Sequence, residues 1–478
     1  MNTSFLFDIA PSFTREVRDN SVEIHAFTPH GFTEWVIEQP DFCQAQIRQN
    51  GFAGKSGEYV AVHDKNGTIT EILVGLGDAP SLYDGLAGAP AYIQKTFSDA
   101  LLDETSFSLD IYGNFPRQTA ILGWALGCYN FTQYKKPARP TPQLYLPETE
   151  DITRTKAFIR AITLLRNMVN MPANDLGPAQ IEMVASELAA VHKAKIKVVK
   201  GSAIEKEFPL VNAVGQAATK ERGPRLIDIS WGSNKDLPVL AIVGKGVCFD
   251  TGGLDLKPSQ FMRFMKKDMG GAAHALALAD LVMALNLPVN LRVIIPAVEN
   301  AVGANSFRPG DVFTSRKGLT VENTDTDAEG RLILADALAY AAEQAPDLII
   351  DFATLTGSAR AALGMDIPAT FTNDAELEDH LRSIPKSVHD PLWPMPLHRD
   401  YRSILKSDIA DLVNHAGVPG DLMYSAIFLE HFIGDDNPAK WIHVDCFAWE
   451  QSGRPGRPKG GKDTGLRGIF ALLEKLYA

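Results

Sequence analysis

The sequence predicts an α/β protein, with a smaller N-terminal α/β domain and a C-terminal α/β domain built on a mostly parallel central sheet covered by helices. Three observations carry that prediction. The chain has 478 residues, beyond the roughly 250–300 at which a single core stops growing. The stretch KKPARPTPQLYLPETED (135–151) is rich in proline and polar residues, which disfavour continuous helix or central strand and mark a boundary. From about residue 238 onward apolar segments of strand length alternate with longer helical ones, the pattern of strands joined by crossover helices.

The N-terminal domain is expected over 1–140, where EILVGLGD (71–78) and ILGWALGCYNF (121–131) read as strands and helices; no residues there suggest chemistry. A linker and connecting helix follow over 141–170, the helix at roughly 152–170. The C-terminal domain spans 171–478, with a strand at 239–243, a small-residue helix at 270–285, a strand at 291–296, a helix at 331–345 and a strand at 348–353. In such sheets ligands gather at the carboxyl ends of the strands, and the polar residues of interest fall there.

Composition limits the function classes. With 45% hydrophobic and 22% charged residues the chain reads as a soluble globular protein. Its longest apolar runs fall short of the ~18–20 residues that span a bilayer. The start MNTSFLFDIAPSF lacks a basic region before its short apolar stretch, so neither export nor anchoring is expected and a cytoplasmic location is. Cys43, Cys128, Cys248 and Cys446 form no CxxC pair, which argues against a disulfide framework and a thiolate zinc site. A net charge of −12 argues against nucleic acid as a partner, since phosphate binding rests on clustered Lys and Arg.

Two segments concentrate chemistry. VGKGVCFDTGGLDLKPSQFMRFMKKDMGGAA (243–273) leaves the first strand through Gly244 and Gly246, offers Lys245, Asp250 and Lys257, and reaches Asp268 at the start of the next helix. NTDTDAEGRLILADAL (323–338) places Asp325, Asp327 and Glu329 just before a helix opening at about Gly330 or Arg331. Residues two apart face the same way in extended backbone, so Asp327 and Glu329 can point into one site. Carboxylates converging there cannot all stay ionised without cations. Oxygen ligands without His or Cys suit Mg²⁺ and Mn²⁺ and also occur around Zn²⁺, and a metal pair ~3.5–4 Å apart would polarise a carbonyl and activate water. Each carboxylate alone could be a helix cap, but capping does not explain two lysines among glycines on the same loop. Gly244-Lys245-Gly246 lacks the spacing and Ser/Thr of a P-loop, Gly75 and Gly77 lack the third glycine of a dinucleotide motif, and HExxH and GxSxG are absent. His274 and His443 read as packing or supporting residues, and the basic Gly/Pro stretch 454–467 as a mobile loop near the site.

The motifs VGKGVCFDTGG (243–253), KKDMGGAA (266–273), TDAEGRL (326–332) and DFATLTGSA (351–359), with RNMVNMPANDLGP (166–178) in support, resemble the leucyl aminopeptidase (cytosol aminopeptidase) family of two-metal exopeptidases. The resemblance covers roughly 155–478. It implies a hydrolase that releases N-terminal, leucine-like amino acids from short peptides by attack of a metal-bridging water. It also implies two divalent ions per subunit (Mn²⁺ or Zn²⁺, with Mg²⁺ an option), a bound bicarbonate, and a homohexamer. The implied metal ligands are Lys245, Asp250, Asp268, Asp327 and Glu329, with Asp250 and Glu329 bridging. Lys257 would stabilise the oxyanion and Arg331 would hold the bicarbonate that serves as base; Met265, Gly330, Thr354, Leu355 and Gly357 would contact substrate or anion. A ligating lysine must be the neutral amine. Departures from the family pattern are Asp325, where Asn is usual, and the stretches 420–432 and 445–468, which leave the leucine preference open. A non-catalytic scaffold with this fold, and a two-metal phosphoesterase, are the alternatives.

Overall fold

The computed structural model describes residues 4–478 apart from positions 8, 10, 11, 19 and 435–438; residues 1–3, 8, 10 and 11 of the start read for an export signal lie outside the described residues. Among the described residues no helix is long and apolar enough to cross a membrane. The chain forms two compact units, one of residues 8–163 and 450–459, the other of residues 1–7, 164–449 and 460–478.

In the first unit the described strands form one sheet in the order Phe13–Thr14, Gln143–Tyr145, Thr105–Tyr112, Asn20–Phe27, Ile69–Gly75, Tyr59–His63. All neighbours are parallel except the last pair. The apolar run read as a strand near 71–78 is Ile69–Gly75, and that read near 121–131 lies largely in the helix Arg117–Cys128. Within the stretch taken from sequence as linker, Gln143–Tyr145 joins the sheet. Pro140, Pro142 and Pro147 flank this strand rather than interrupt its ladder.

In the second unit the sheet runs Trp393–Pro394, Ala369–Thr372, Lys440–Asp445, Leu348–Ala353, Val239–Gly244, Asn290–Asn300, Arg225–Trp231, Lys195–Lys200. The central strands are parallel. Antiparallel pairings enter at Ala369–Thr372 with Lys440–Asp445 and at Arg225–Trp231 with both its neighbours. The central strands are buried along nearly their whole length, as parallel strands covered on both faces must be. Helix Gly270–Ala284 packs on Val239–Gly244 and Leu348–Ala353, and helix Glu329–Ala342 shares a core with Ala241, Val243 and Ile294 through Leu332, Ile333 and Leu338.

One feature differs from the expected loop after the first strand. Lys245 sits at a break, and Gly246–Asp250 forms a further strand, parallel to the far end of Asn290–Asn300, with a register shift between Val247 and Asp250. Burial of Val247 and Cys248 drives it. The backbone of Lys245 is tied on both sides: its N–H donates to Phe352 O at 2.9 Å and its C=O accepts from Ala272 N at 2.8 Å.

The stretch 454–467, read as a mobile loop, is instead held by its own charges. Arg454 pairs with Glu450, Arg457 lies 4.1 Å from the Tyr83 ring, and Lys462 pairs with Asp366. Asp463 is buried between Arg166 (2.7 Å) and Arg467 (2.8 Å). Burial pushes its carboxyl upward, but the two guanidinium groups outweigh that and hold it well below the usual carboxylate range. A depressed carboxyl contributes stability that is present above the unfolded-state value and lost as pH falls through the folded one. Asp463→Asn should therefore lower stability at pH 7 by about 3–5 kcal/mol, the cost of stranding buried charges. In urea unfolding the gap from wild type should narrow only below the ordinary carboxylate range; a gap unchanged down to pH 3 would contradict the assignment.

Candidate metal centre

Four carboxylates and two lysines meet at the carboxyl ends of the central strands. Asp250 ends its strand, and its Oδ1 accepts from Gly252 N at 2.9 Å and Asn300 Nδ2 at 2.8 Å. Gly252 has φ +86° and Gly253 φ +66°, left-handed backbone that glycine adopts without strain; this turn brings the chain back to Lys257. Asp268 lies in the 3₁₀ turn Met265–Met269 ahead of helix Gly270–Ala284 and accepts from Thr354 Oγ1 at 2.8 Å. Glu329 is the first residue of helix Glu329–Ala342, earlier than the expected start, and is 1% exposed. Asp327 stands just before it, with its N–H bonded to Asp325 Oδ1 at 2.8 Å.

Lys245 Nζ lies 2.7 Å from Asp268 Oδ2 and 2.9 Å from Glu329 Oε1, and donates to Thr354 O at 3.0 Å. Burial pulls its pKa down, but Asp268, Glu329 and Asp250 outweigh burial and hold it above the ordinary lysine value. Lys257 Nζ lies 2.8 Å from Asp250 Oδ2 and pairs with Asp327; the same balance of burial against Asp250, Glu329 and Asp327 keeps it charged. The acids remain uncompensated even so. Burial and the neighbouring Asp250 push Glu329 well above its ordinary value and Asp327 up to about 7.

Asp250, Asp327 and Glu329 each offer an oxygen, all within 4.8 Å of one another, and apart from the Lys245 ion pair neither oxygen of Glu329 has a partner among the described residues. Unaccepted, buried carboxylate oxygens facing other carboxylates are the donor set that a hard or borderline divalent cation satisfies. The residues present therefore fit the metal pair.

Gly330 packs on the Lys245 side chain: a Cβ there would lie 2.5 Å from Lys245 Cε and 2.7 Å from Nζ. Thr354 bonds both Asp268 and Lys245, Leu355 N–H donates to Asp445 Oδ1 at 2.9 Å, and Gly357 opens the short helix Gly357–Leu363. Met265 is half-buried at the turn that carries Asp268. Arg331 is 3% exposed and carries a carboxylate partner, donating to Asp421 Oδ1 and Asn414 O at 2.8 Å each, while its buried Nε has no partner. His274 bonds Gly270 O and His443 bonds Asp351, the supporting places expected for them.

Sequence reasoning missed the polar groups that hold these loops. Asn414 accepts from Thr324 N and donates to Asn323 Oδ1 and Asp325 O. Thr326 and Asp255 tie 323–327 to the glycine turn. Phe447 lies beneath two cations, Lys267 Nζ at 4.7 Å and Arg360 at 5.2 Å from its ring. None of these carries a short-range sequence signal, because each partner is at least 70 residues away.

Known proteins resemble this chain over most of its length. Residues 163–470 match the cytosol aminopeptidase family catalytic domain, and residues 22–147 match the N-terminal domain of M17 aminopeptidases. A probable cytosol aminopeptidase of Syntrophotalea carbinolica is 36% identical over 456 residues, covering 90% of each chain. The crystal structure of cytosol aminopeptidase from Coxiella burnetii superposes with TM-score 0.89 at 39% identity, over 98% of this chain and 99% of that one. The bottromycin maturation enzyme BotP, in complex with Mn, superposes with TM-score 0.83 at 29% identity, over 96% and 99%. The chain accordingly belongs to the cytosol aminopeptidase family of metallo-exopeptidases.

Proposed function

We propose that this protein releases N-terminal amino acids from short peptides in the cytoplasm, with Lys245, Asp250, Asp268 and Glu329 holding one divalent ion, Asp250, Asp327 and Glu329 a second, and Asp250 and Glu329 shared. The observation that carries the reading is the set of oxygens of Asp250, Asp327 and Glu329 within 4.8 Å of one another, in a chain of this family. The ions, Mn²⁺ or Zn²⁺ with Mg²⁺ an option, would supply Lewis-acid polarisation of the scissile carbonyl and activation of water. BotP is described in complex with Mn.

This chain's own residues do the positioning. Lys245 is paired as an ammonium with Asp268 and Glu329, so to ligate it gives up its proton, as metal sites require of their ligands. Lys257 keeps its charge at the edge of the cluster, placed to stabilise the oxyanion as the carbonyl becomes tetrahedral. Arg331 stands in the first turn of its helix, where free N–H groups favour an anion. Nη1 and Nη2 each give one N–H to Asn414 and Asp421, while the buried Nε, with no partner among the described residues, is a donor open to a bicarbonate, which would supply the base. Met265, Gly330, Thr354, Leu355 and Gly357 would border substrate and anion, with a leucine-like residue preferred at the cleaved end and a homohexamer as the working assembly.

Hydrolysis of amino-acid p-nitroanilides with Mn²⁺ or Zn²⁺, abolished by chelator, tests the function; cleavage of a phosphodiester in place of the anilides would replace it with the phosphoesterase reading. Lys257→Ala should lower kcat by roughly 10²–10³-fold, the usual cost of losing one oxyanion donor, with bound metal unchanged by elemental analysis. Glu329→Ala should lose bound metal, and a full metal complement in that variant would contradict a shared ligand. Gly330→Ala must push the Lys245 amine aside and should lower kcat by about 10²-fold, the cost of a displacement near 1 Å, at little change in unfolding midpoint; wild-type turnover would show that Lys245 has room to move.

A further inference from the structure

The N-terminal unit carries a second gathering of acids, around a buried histidine. Glu23 and His25 alternate on strand Asn20–Phe27, so both face one side of the sheet. The parallel register sets Glu23 beside Glu71 on one neighbouring strand and His25 beside Asp110 on the other. Like charges placed directly opposite on a sheet destabilise it, and among the described residues no lysine or arginine pairs with Glu23, Glu71 or Asp110. His25 is the one basic group that meets them, its Nε2 3.4 Å from Glu23 Oε2 and 4.0 Å from Glu71 Oε2.

Two further facts set this group apart from an ordinary acidic surface. His25 is 5% exposed, pressed by the rings of Trp35 at 5.3 Å and Tyr112 at 5.6 Å. Its Nδ1 has no hydrogen-bond partner, and neither does the buried Oε2 of Glu71. The imidazole is thus a buried ring whose Nε2 faces the carboxylates of Glu23 and Glu71 and whose Nδ1 has no partner among the described residues. One ligand atom each from Glu23, His25 and Asp110 lies within 4.8 Å of the others, a spacing that one ion can bridge. Burial and Glu23 also push Glu71 upward, against the lowering effect of His25.

We propose that Glu23, His25 and Asp110, with Glu71 beside them, form a site for a single divalent transition-metal ion on the N-terminal unit, in addition to the catalytic pair. Imidazole with carboxylates is a donor set for Zn²⁺, Mn²⁺ or Co²⁺, whereas Ca²⁺ and Mg²⁺ favour oxygen alone. Bound there, the ion neutralises the opposed acids and crosslinks the strands Asn20–Phe27 and Thr105–Tyr112.

Cobalt is the probe. The full-length chain carrying Glu329→Ala, which disables the shared catalytic ligand, is dialysed against Co²⁺ and its bound cobalt counted by elemental analysis, before and after adding Glu23→Gln or His25→Ala. Glu23 is largely exposed, so its variant keeps the fold if His25→Ala does not. One cobalt per chain should be lost on adding Glu23→Gln, together with part of the cobalt-induced quenching of tryptophan fluorescence, since Trp35 lies 5.3 Å from the His25 ring. An unchanged cobalt count would overturn the proposal.

Discussion

Repulsion among buried carboxylates is the constraint around which the catalytic unit is organised. Asp250, Asp268 and Glu329 are each no more than 3% exposed, and Asp327 closes the group. At an effective dielectric of about 20, like unit charges about 4 Å apart repel by about 4 kcal/mol. The favourable placement of Glu329 at a helix start contributes only about 0.3–1 kcal/mol, so the helix does not hold the acid in place against its neighbours. Cations do. Lys245 binds Asp268 to Glu329, and Lys257 binds Asp250 to Asp327, so each lysine joins an acid from the segment 250–268 to one from 327–329.

That cross-linking explains the detailed shape of the surrounding backbone. Lys245 can reach both acids because it sits at the break between two strands, anchored to Phe352 and Ala272, and because Gly330 leaves space for its methylenes. Asp250 faces inward because Asn300 and Gly252 hold one of its oxygens and leave the other for Lys257. Asp268 is held in the same way by Thr354. Asp250 and Asp268 therefore each have one oxygen committed to the scaffold, whereas the two oxygens of Glu329 meet only the Lys245 ammonium among the described residues.

The alternation of apolar strands and small-residue helices was legible from periodicity alone, because strands buried on both faces must be apolar throughout. The gathering of Lys245, Asp250, Asp268, Asp327 and Glu329 was legible because they lie in two short segments, a glycine-rich one at 243–273 and an acidic one at 323–338, and the roles expected of them came from the resemblance of those segments to family motifs. The strand Gly246–Asp250 was not, since its glycine and aspartate ends look like loop and its pairing is set by a partner some 50 residues on. The same applies to Asn414, Asp421 and Asp463, whose meaning depends on charges brought to them by the fold. The stretch 454–467 looked mobile because its arginines and lysines were counted without the acids that neutralise them.

Arg331 shows how a residue distant in sequence reaches the site. Its carboxylate partner Asp421, 90 residues on, opens the helix Asp421–Glu430. Asp421 is kept ionised against burial mainly by Arg331 itself, so the pair is close to neutral before any anion arrives. The proposed anion beside Arg331 would then gain little from net charge; what would attract it is the unpartnered Nε donor and the N–H groups of the helix start, which act over hydrogen-bond range and not over a Debye length. Selection there would rest on donor geometry, which Asp421 fixes by holding the guanidinium through Nη2.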